Sequence, residues 1–273
     1  MNPSTFGIDS PADLPDPDMH NADLERRFGG LRRLYGASGY QAVRAARVAV
    51  VGLGGVGSWA VEALARSGVA RLVLIDLDHV AESNINRQVQ ALGSTLGMAK
   101  AEALRQRIAD IHPGCEVVAI EEFATPDNWP NLLSTEVDLL IDACDQSAAK
   151  LALAAWALQT GTPLVCVGAA GGKQQAQAVE VADLAEATHD PLLASLRQRL
   201  RKQGAPRQGR IGVTCVFSRE SVATPADADA CTTDGTLNCA GYGSTVTVTA
   251  TFGLVAAGEA LRRCIAARAG SLA

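Results

Sequence analysis

The chain has 273 residues, 48% of them apolar, and 24 Lys and Arg against 29 Asp and Glu give it a net charge of −5 and an isoelectric point near 5.4. That length and apolar share suffice for a full core and exclude a disordered chain, while the acidic balance gives no general support for a nucleic-acid partner. Aromatic residues are only 4%, and a chain rich in Ala, Val, Leu and Gly suits helices packed on a parallel sheet better than an aromatic β-sandwich.

The first 24 residues hold five Asp, four Pro and no Lys or Arg, so they account for the whole net charge. Such a segment buries too little apolar surface to offset its ordering entropy and lacks the basic start and apolar centre of a signal peptide. Residues 1–24 are therefore expected to be a disordered acidic tail, residues 25–273 one folded domain, and the protein cytoplasmic. From Arg47 onward, β-branched runs alternate with helical stretches. RVAVVG reads as a strand, GVGSWAVEALARSG as a helix stopped by glycine, and ARLVLIDLD as a strand. GMAKAEALRQRIADIHP places Ala101, Leu104, Ile108 and Ile111 at helical spacing before Pro113. CEVVAI is a strand, and TPDNWPNLL starts a helix with Thr125 as N-cap and Pro126 in the favoured first position. VDLLIDACD is a strand, QSAAKLALAAWALQTG a helix ended by Gly161, and PLVCVG a strand.

This alternation predicts an α/β fold: a Rossmann-like, doubly wound, mostly parallel sheet with helices on both faces and a ligand crevice at the strand C-termini. After Gly168 the pattern loosens into an irregular C-terminal extension. QAQAVEVADL and RIGVTCVFSRE read as strands, PLLASLRQRLRKQ and VAAGEALRRCIAARAG as helices, and the stretch between Thr224 and Gly243 as a loop. Residues 239–258 carry no charge, yet they are rich in Thr, Ser and Gly and fit a buried helix better than a membrane span.

Seven cysteines, at 115, 144, 166, 215, 231, 239 and 264, stand singly, with no CxxC pair and no histidine at zinc-ligand spacing. Neither a disulfide framework nor structural zinc is expected. Cys144, Cys166 and Cys215 lie in apolar runs and read as core. Cys231 and Cys239 lie in polar, Gly-rich sequence where a thiolate is reactive, which leaves a catalytic cysteine open.

Gly52, Gly54 and Gly57, with Gly55 between them, form GxGxxG between a strand and a helix, a turn that brings backbone N–H groups to phosphate. Asp76 ends the next strand, 24 residues after the first glycine, where a carboxylate can hold a ribose. Those features fit NAD and ATP alike. Past Asp76 come Asp78 and then ESNINRQ, with Ser83, Asn84, Asn86, Arg87 and Gln88 at the crevice mouth, Lys100 opening the next helix, and Asp142 and Asp145 at the end of VDLLIDACD. Cations converging with a carboxylate suit a triphosphate and Mg²⁺ rather than a nicotinamide ring. An NAD-binding oxidoreductase or a nucleotide sensor remains the weaker alternative.

Together, GLGGVGSWAVEALARSGV, LVLIDLDHVAESNINRQ and IDACD resemble the adenylating enzymes of the ubiquitin-activating type, the ThiF, MoeB and HesA group. The resemblance implies that Gly52 to Gly57 hold phosphate, Asp76 holds the ribose, and Ser83 to Arg87 line the nucleotide. It further implies that Arg87 and Lys100 are catalytic, stabilising charge on the phosphates, and that Asp145 holds Mg²⁺. Sulfur-carrier-activating members usually have two zinc-binding CxxC pairs, absent here, and a RYxRQ motif where this chain has RFGGLRRLYG. Gly30 thus stands in place of the arginine that reaches the partner subunit's nucleotide, with Arg32 or Arg33 as substitutes. TPDNW, GAAGG, DPLLASLRQRLRK, GVTCVFSRE and NCAGYGS resemble the tRNA threonylcarbamoyladenosine dehydratase branch. That branch implies ATP-dependent adenylation and cyclisation of the threonyl carboxylate in tRNA, a homodimer, and sulfur-relay partners for some members. Adenylation of a ubiquitin-like sulfur carrier is the alternative. Six cations and no acid between Arg197 and Arg210 form a candidate phosphate-contacting patch.

Overall fold

Seven strands form one sheet in the order β3-β2-β1-β4-β5-β7-β6 in the computed structural model, which describes residues 23–222 and 242–270. The strands are β1 (Arg47–Val51), β2 (Arg71–Ile75), β3 (Glu116–Ile120), β4 (Leu139–Asp142), β5 (Leu164–Val167), β6 (Val179–Asp183) and β7 (Thr214–Ser218). All neighbouring pairs are parallel except β6 with β7. β1, β4 and β5 are buried almost from end to end, as a sheet covered on both faces requires. The order reverses between β1 and β4, and that switch point is where a doubly wound sheet opens its crevice.

The helices are α1 (Leu24–Phe28), α2 (Gly30–Ala45), α3 (Gly57–Arg66), α4 (Lys100–Ile111), α5 (Ser147–Thr160), α6 (Pro191–Lys202) and α7 (Val246–Gly270). One core lies between the sheet and α3, α4 and α7, centred on Leu64, Leu104 and Phe252; the other lies under α5 and α6, around Leu153, Leu193 and Phe217. The uncharged stretch ending at Gly258 runs into α7, whose small residues admit close packing. A Cβ at Gly253 would lie 2.8 Å from the Trp59 Cβ of α3. Among the described residues no helix is long and apolar enough to cross a membrane.

Two expectations need correction. The TPDNWPNLL stretch makes turns and no helix. Thr125 does accept the N–H of Asn128 at 3.3 Å while Asn128 Oδ1 accepts that of Thr125 at 2.7 Å, but Pro130 has no N–H with which to continue a helix. The expected acidic tail ends two residues earlier than its composition indicates. Asp23 accepts the N–H of Arg26 at 3.0 Å as the N-cap of α1. The rest of that tail lies outside the described residues.

Arg27 ties α1 to the body, donating to the carbonyls of Asp110 and Ile111 at the end of α4 at 2.9 and 2.7 Å. The next residue, His112, is 1% exposed, receives Arg44 Nη1 on Nε2 at 3.0 Å and stacks edge-on with Phe28. Burial, and then the charges of Arg44 and Arg27, push its pKa down to about 4. The unfolded chain therefore takes up a proton on this ring first, so the stability it contributes is present above pH 6.5 and is lost as pH falls toward 4. Unfolding free energies measured between those limits should fall by about 3 kcal/mol more than those of a His112→Gln variant, whose slope should be flatter; parallel slopes would refute this.

Candidate active site

The β1–α3 turn is set by backbone crowding. Gly52 has φ +85°, and a Cβ there would lie 2.8 Å from the carbonyl of Ala143 at the end of β4. A Cβ on Gly57 would collide with the carbonyl oxygen of Gly52. Glycine at these two positions lets α3 begin hard against the end of β1, at the switch point of the sheet. Such an N-terminus is suited to phosphate.

Asp76 is 7% exposed at the end of β2 and holds this turn from the side. Its Oδ2 accepts the N–H of Leu53 at 2.6 Å, and its Oδ1 that of Asp78 at 2.9 Å. Burial raises its pKa, against the opposing charge of Lys100 and the two backbone hydrogen bonds. Each carboxylate oxygen keeps a lone pair for a further donor, such as a ribose hydroxyl. Lys100, the first residue of α4, reaches Asp78 Oδ2 at 2.7 Å; its own side chain is buried, whereas that of Asp78 is half exposed.

ESNINRQ forms a short 3-10 turn beside the glycine loop. Arg87 lays its stem over the loop, its Cγ 3.3 Å from where a Cβ on Gly55 would be, and its Nη1 donates to Ser83 O at 2.7 Å and Asn86 Oδ1 at 3.0 Å. Trp59 of α3 pins the Arg87 carbonyl at 2.9 Å, and Asn86 Nδ2 donates to Ser244 O at 3.0 Å. Asn84 also shapes its own turn: nearly buried, it accepts the N–H of Ala81 at 3.0 Å on Oδ1. Gln90 was not singled out by the sequence pattern, yet its Nε2 binds the Leu53 carbonyl of the phosphate loop at 3.0 Å and Gln88 Oε1 at 3.1 Å. Its place three residues after Arg87 was the available signal.

Asp142 does not face the crevice as expected. It is fully buried and paired with Lys150 of α5 at 2.8 Å, also at 0% exposure, and Lys150 Nζ donates to Val167 O at 3.0 Å as well. Burial works against the Lys150 charge, but Asp142 outweighs it and keeps the ammonium protonated. Asp145 stands three residues past the end of β4. It is partly exposed, and the N-cap of α5 is Gln146, so Asp145 is not spent on capping. A lone carboxylate at this place beside a phosphate cradle fits Mg²⁺, which takes one or two carboxylates and completes its shell with phosphate and water.

Cys115, Cys144, Cys166 and Cys264 offer no poised thiolate. A hydrogen bond with Cys215 and burial raise Cys166, and burial with Asp142 raises Cys144. Burial also pushes Cys115 up to about 12 and Cys264 up to about 11. Cys231 and Cys239 lie outside the described residues.

The ThiF family profile matches residues 27–271. The chain belongs to the ThiF family. It is 43% identical over 252 residues to the tRNA threonylcarbamoyladenosine dehydratase of Escherichia coli, spanning 88% of this chain and 94% of that protein. The dehydratase of the same name from Haemophilus influenzae is 38% identical over 89% of this chain and 95% of its own length. The crystal structure of the E. coli dehydratase in complex with ATP superposes with a TM-score of 0.82 at 42% identity, covering 91% of this chain and 98% of that one. In this chain the GxGxxG loop and the ESNINRQ turn lie side by side, with the Arg87 stem over Gly55.

Arg87→Ala and Lys100→Ala should each lower ATP-dependent turnover more than about tenfold, as loss of charge stabilisation at phosphate does, with melting temperatures close to wild type. Normal turnover in both variants would exclude these roles.

Proposed function

We propose that this chain is an ATP-dependent enzyme that adenylates the threonyl carboxylate of threonylcarbamoyladenosine in tRNA and closes it into a ring. What supports this reading is identity of 43% to a dehydratase of that name, in a chain where Asp76 holds the glycine loop, Arg87 lies over Gly55 and Lys100 reaches Asp78 at the switch point of the sheet. The substrate carboxylate attacks the α-phosphorus of ATP in line, and pyrophosphate leaves. The ureido group of the same nucleoside then attacks the acyl carbon, and AMP departs with the carboxylate oxygen. The net result is loss of one water from the substrate.

Each residue has a defined task in this reading. The glycine loop and the first N–H groups of α3 seat the phosphates, and Asp76 takes the ribose. Arg87 and Lys100 face charge that builds up as pyrophosphate departs, where fixed cations lower the barrier. To receive phosphate, Lys100 turns from Asp78, whose half-exposed carboxylate is then left to solvent. Asp145 would hold Mg²⁺, which supplies charge neutralisation on the phosphates. Intramolecular cyclisation needs no cysteine nucleophile and no sulfur-relay partner.

A homodimer belongs to this proposal. Arg32 is engaged within its own chain, paired with Glu25 at 2.8 Å and lying over the Tyr40 ring. Arg33 is exposed beside Leu34, a leucine 70% open to solvent, which makes Arg33 the better substitute for the arginine that crosses to a partner subunit. The basic stretch gives tRNA a landing place. Arg197, Arg201, Lys202 and Arg207 line a groove of about 440 Å³, and Arg199 donates to Ser147 O at 3.0 Å, two residues from Asp145.

Pyrophosphate release, measured with ATP and tRNA that does or does not carry the threonylcarbamoyl group, tests the reading. Release only with the modified tRNA is expected; equal release with both tRNAs, or release that depends instead on a protein ending in Gly-Gly, would overturn it.

A further inference from the structure

Adenylation requires two ligands, a nucleotide and a carboxylate. Ser83, Asn86 and Arg87, which the family resemblance assigns to the nucleotide, also bound a cavity of about 570 Å³ together with Glu82, Ile85 and a wall built from Gly171 and Tyr242 to Ser244, to which the glycine loop, Asp76, Asp78, Lys100 and Asp145 contribute nothing. That size matches a small-molecule site.

The wall is fixed to the body at several points. The Gly172 N–H donates to the carbonyls of Tyr242 at 3.2 Å and Gly243 at 3.0 Å, and Asn86 Nδ2 closes onto Ser244 O at 3.0 Å. A Cβ on Gly171 would meet the Tyr242 Cβ at 3.9 Å, so this turn packs directly behind the tyrosine. The turn is itself anchored from below. Lys173 is 2% exposed, with its ammonium on the carbonyls of His189 and Ser218 at 3.2 Å and Glu220 at 2.6 Å, and the Glu220 carboxylate accepts the N–H groups of Gln174 and Gln175 at 3.0 Å. The backbone that carries Tyr242 is thus anchored to the body beside the cavity that this residue lines. Ile85, 48% exposed, presents a second apolar surface to the same cavity, and Arg87 supplies a cation at its inner end.

From this juxtaposition we infer that the cavity is the acceptor site and that Tyr242 is its base platform. It takes a flat nucleobase bearing a carboxylated side chain, with the ring against Tyr242 and the carboxylate toward Arg87. This inference rests on the proposed function and adds the place where the modified nucleoside binds. An aromatic platform accepts a purine through its π-face, and the side-chain carboxylate distinguishes the modified from the unmodified adenosine. With the carboxylate on Arg87, whose stem covers Gly55 of the phosphate loop, acceptor and α-phosphate meet across one side chain.

The test uses the full chain saturated with a non-hydrolysable ATP analogue and titrated with free threonylcarbamoyladenosine, adenosine or a Gly-Gly-ended peptide. Wild type, Tyr242→Phe and Tyr242→Ala are compared, and affinity for the ATP analogue is measured in each. The modified nucleoside should bind better than adenosine; Tyr242→Ala should weaken it about tenfold or more, as loss of base stacking does. Tyr242→Phe should stay within about twofold of wild type, and ATP-analogue affinity should be unchanged in all three. Unchanged nucleoside binding in Tyr242→Ala, an equal loss of ATP-analogue affinity, or Tyr242-dependent binding of the peptide instead would overturn the inference. Turnover of modified tRNA by wild type alongside any of these outcomes would leave the function standing and the site refuted. Tyr242-dependent nucleoside binding without pyrophosphate release would support the site and refute the function.

Discussion

The carbonyl oxygen of Gly52 occupies the space that a side chain at position 57 would need. This contact sets how closely α3 can approach the end of β1, and the crevice is built around it. Gly52 in turn presses on the Ala143 carbonyl, so the ends of β1 and β4 and the start of α3 form one packed unit at the point where the sheet order reverses. Asp76 closes this unit from β2 by holding the Leu53 N–H, and Gln90 closes it from the other side by holding the Leu53 carbonyl. Both backbone polar groups of Leu53 are then satisfied by buried side chains, and the loop is organised before any nucleotide arrives.

A second constraint lies one layer deeper. Lys150 joins the carboxylate of Asp142 on β4 to the Val167 carbonyl at the end of β5, with both charged groups fully out of water. Removing one member of a buried pair leaves the other uncompensated and typically costs about 3–5 kcal/mol. The pair therefore holds in place the short segment that carries Ala143 against Gly52 and then Asp145. On the far side, α7 packs into α3 through Gly253, so the helix whose N-terminus faces phosphate is supported along its back.

Much of this was legible in the sequence because each feature has a local cause. The parallel sheet follows from short β-branched runs alternating with helical spacing, and the site from glycines whose positions leave no room for a side chain. Gly161 ends α5 in the left-handed conformation that its place after QT suggests. What could not be read required knowledge of depth. Asp142 and Asp145 stand three residues apart in the same run, and only the pairing with Lys150 shows that one is buried while the other reaches the edge. Thr125 looked like a helix start and its capping bonds do form, but Pro130 limits the segment to turns. The part Asn84 plays in its own turn, accepting the Ala81 N–H, likewise depends on a local geometry that the sequence does not display.

The central claim is chemical: the substrate's own carboxylate is activated on the α-phosphorus at this crevice. It is tested most directly with threonylcarbamoyladenosine tRNA carrying oxygen-18 in the threonyl carboxylate. Mass analysis of the AMP released during turnover should show one heavy oxygen per AMP, transferred from the carboxylate through the acyl adenylate. AMP without the label, formed while cyclised product accumulates, would contradict the account.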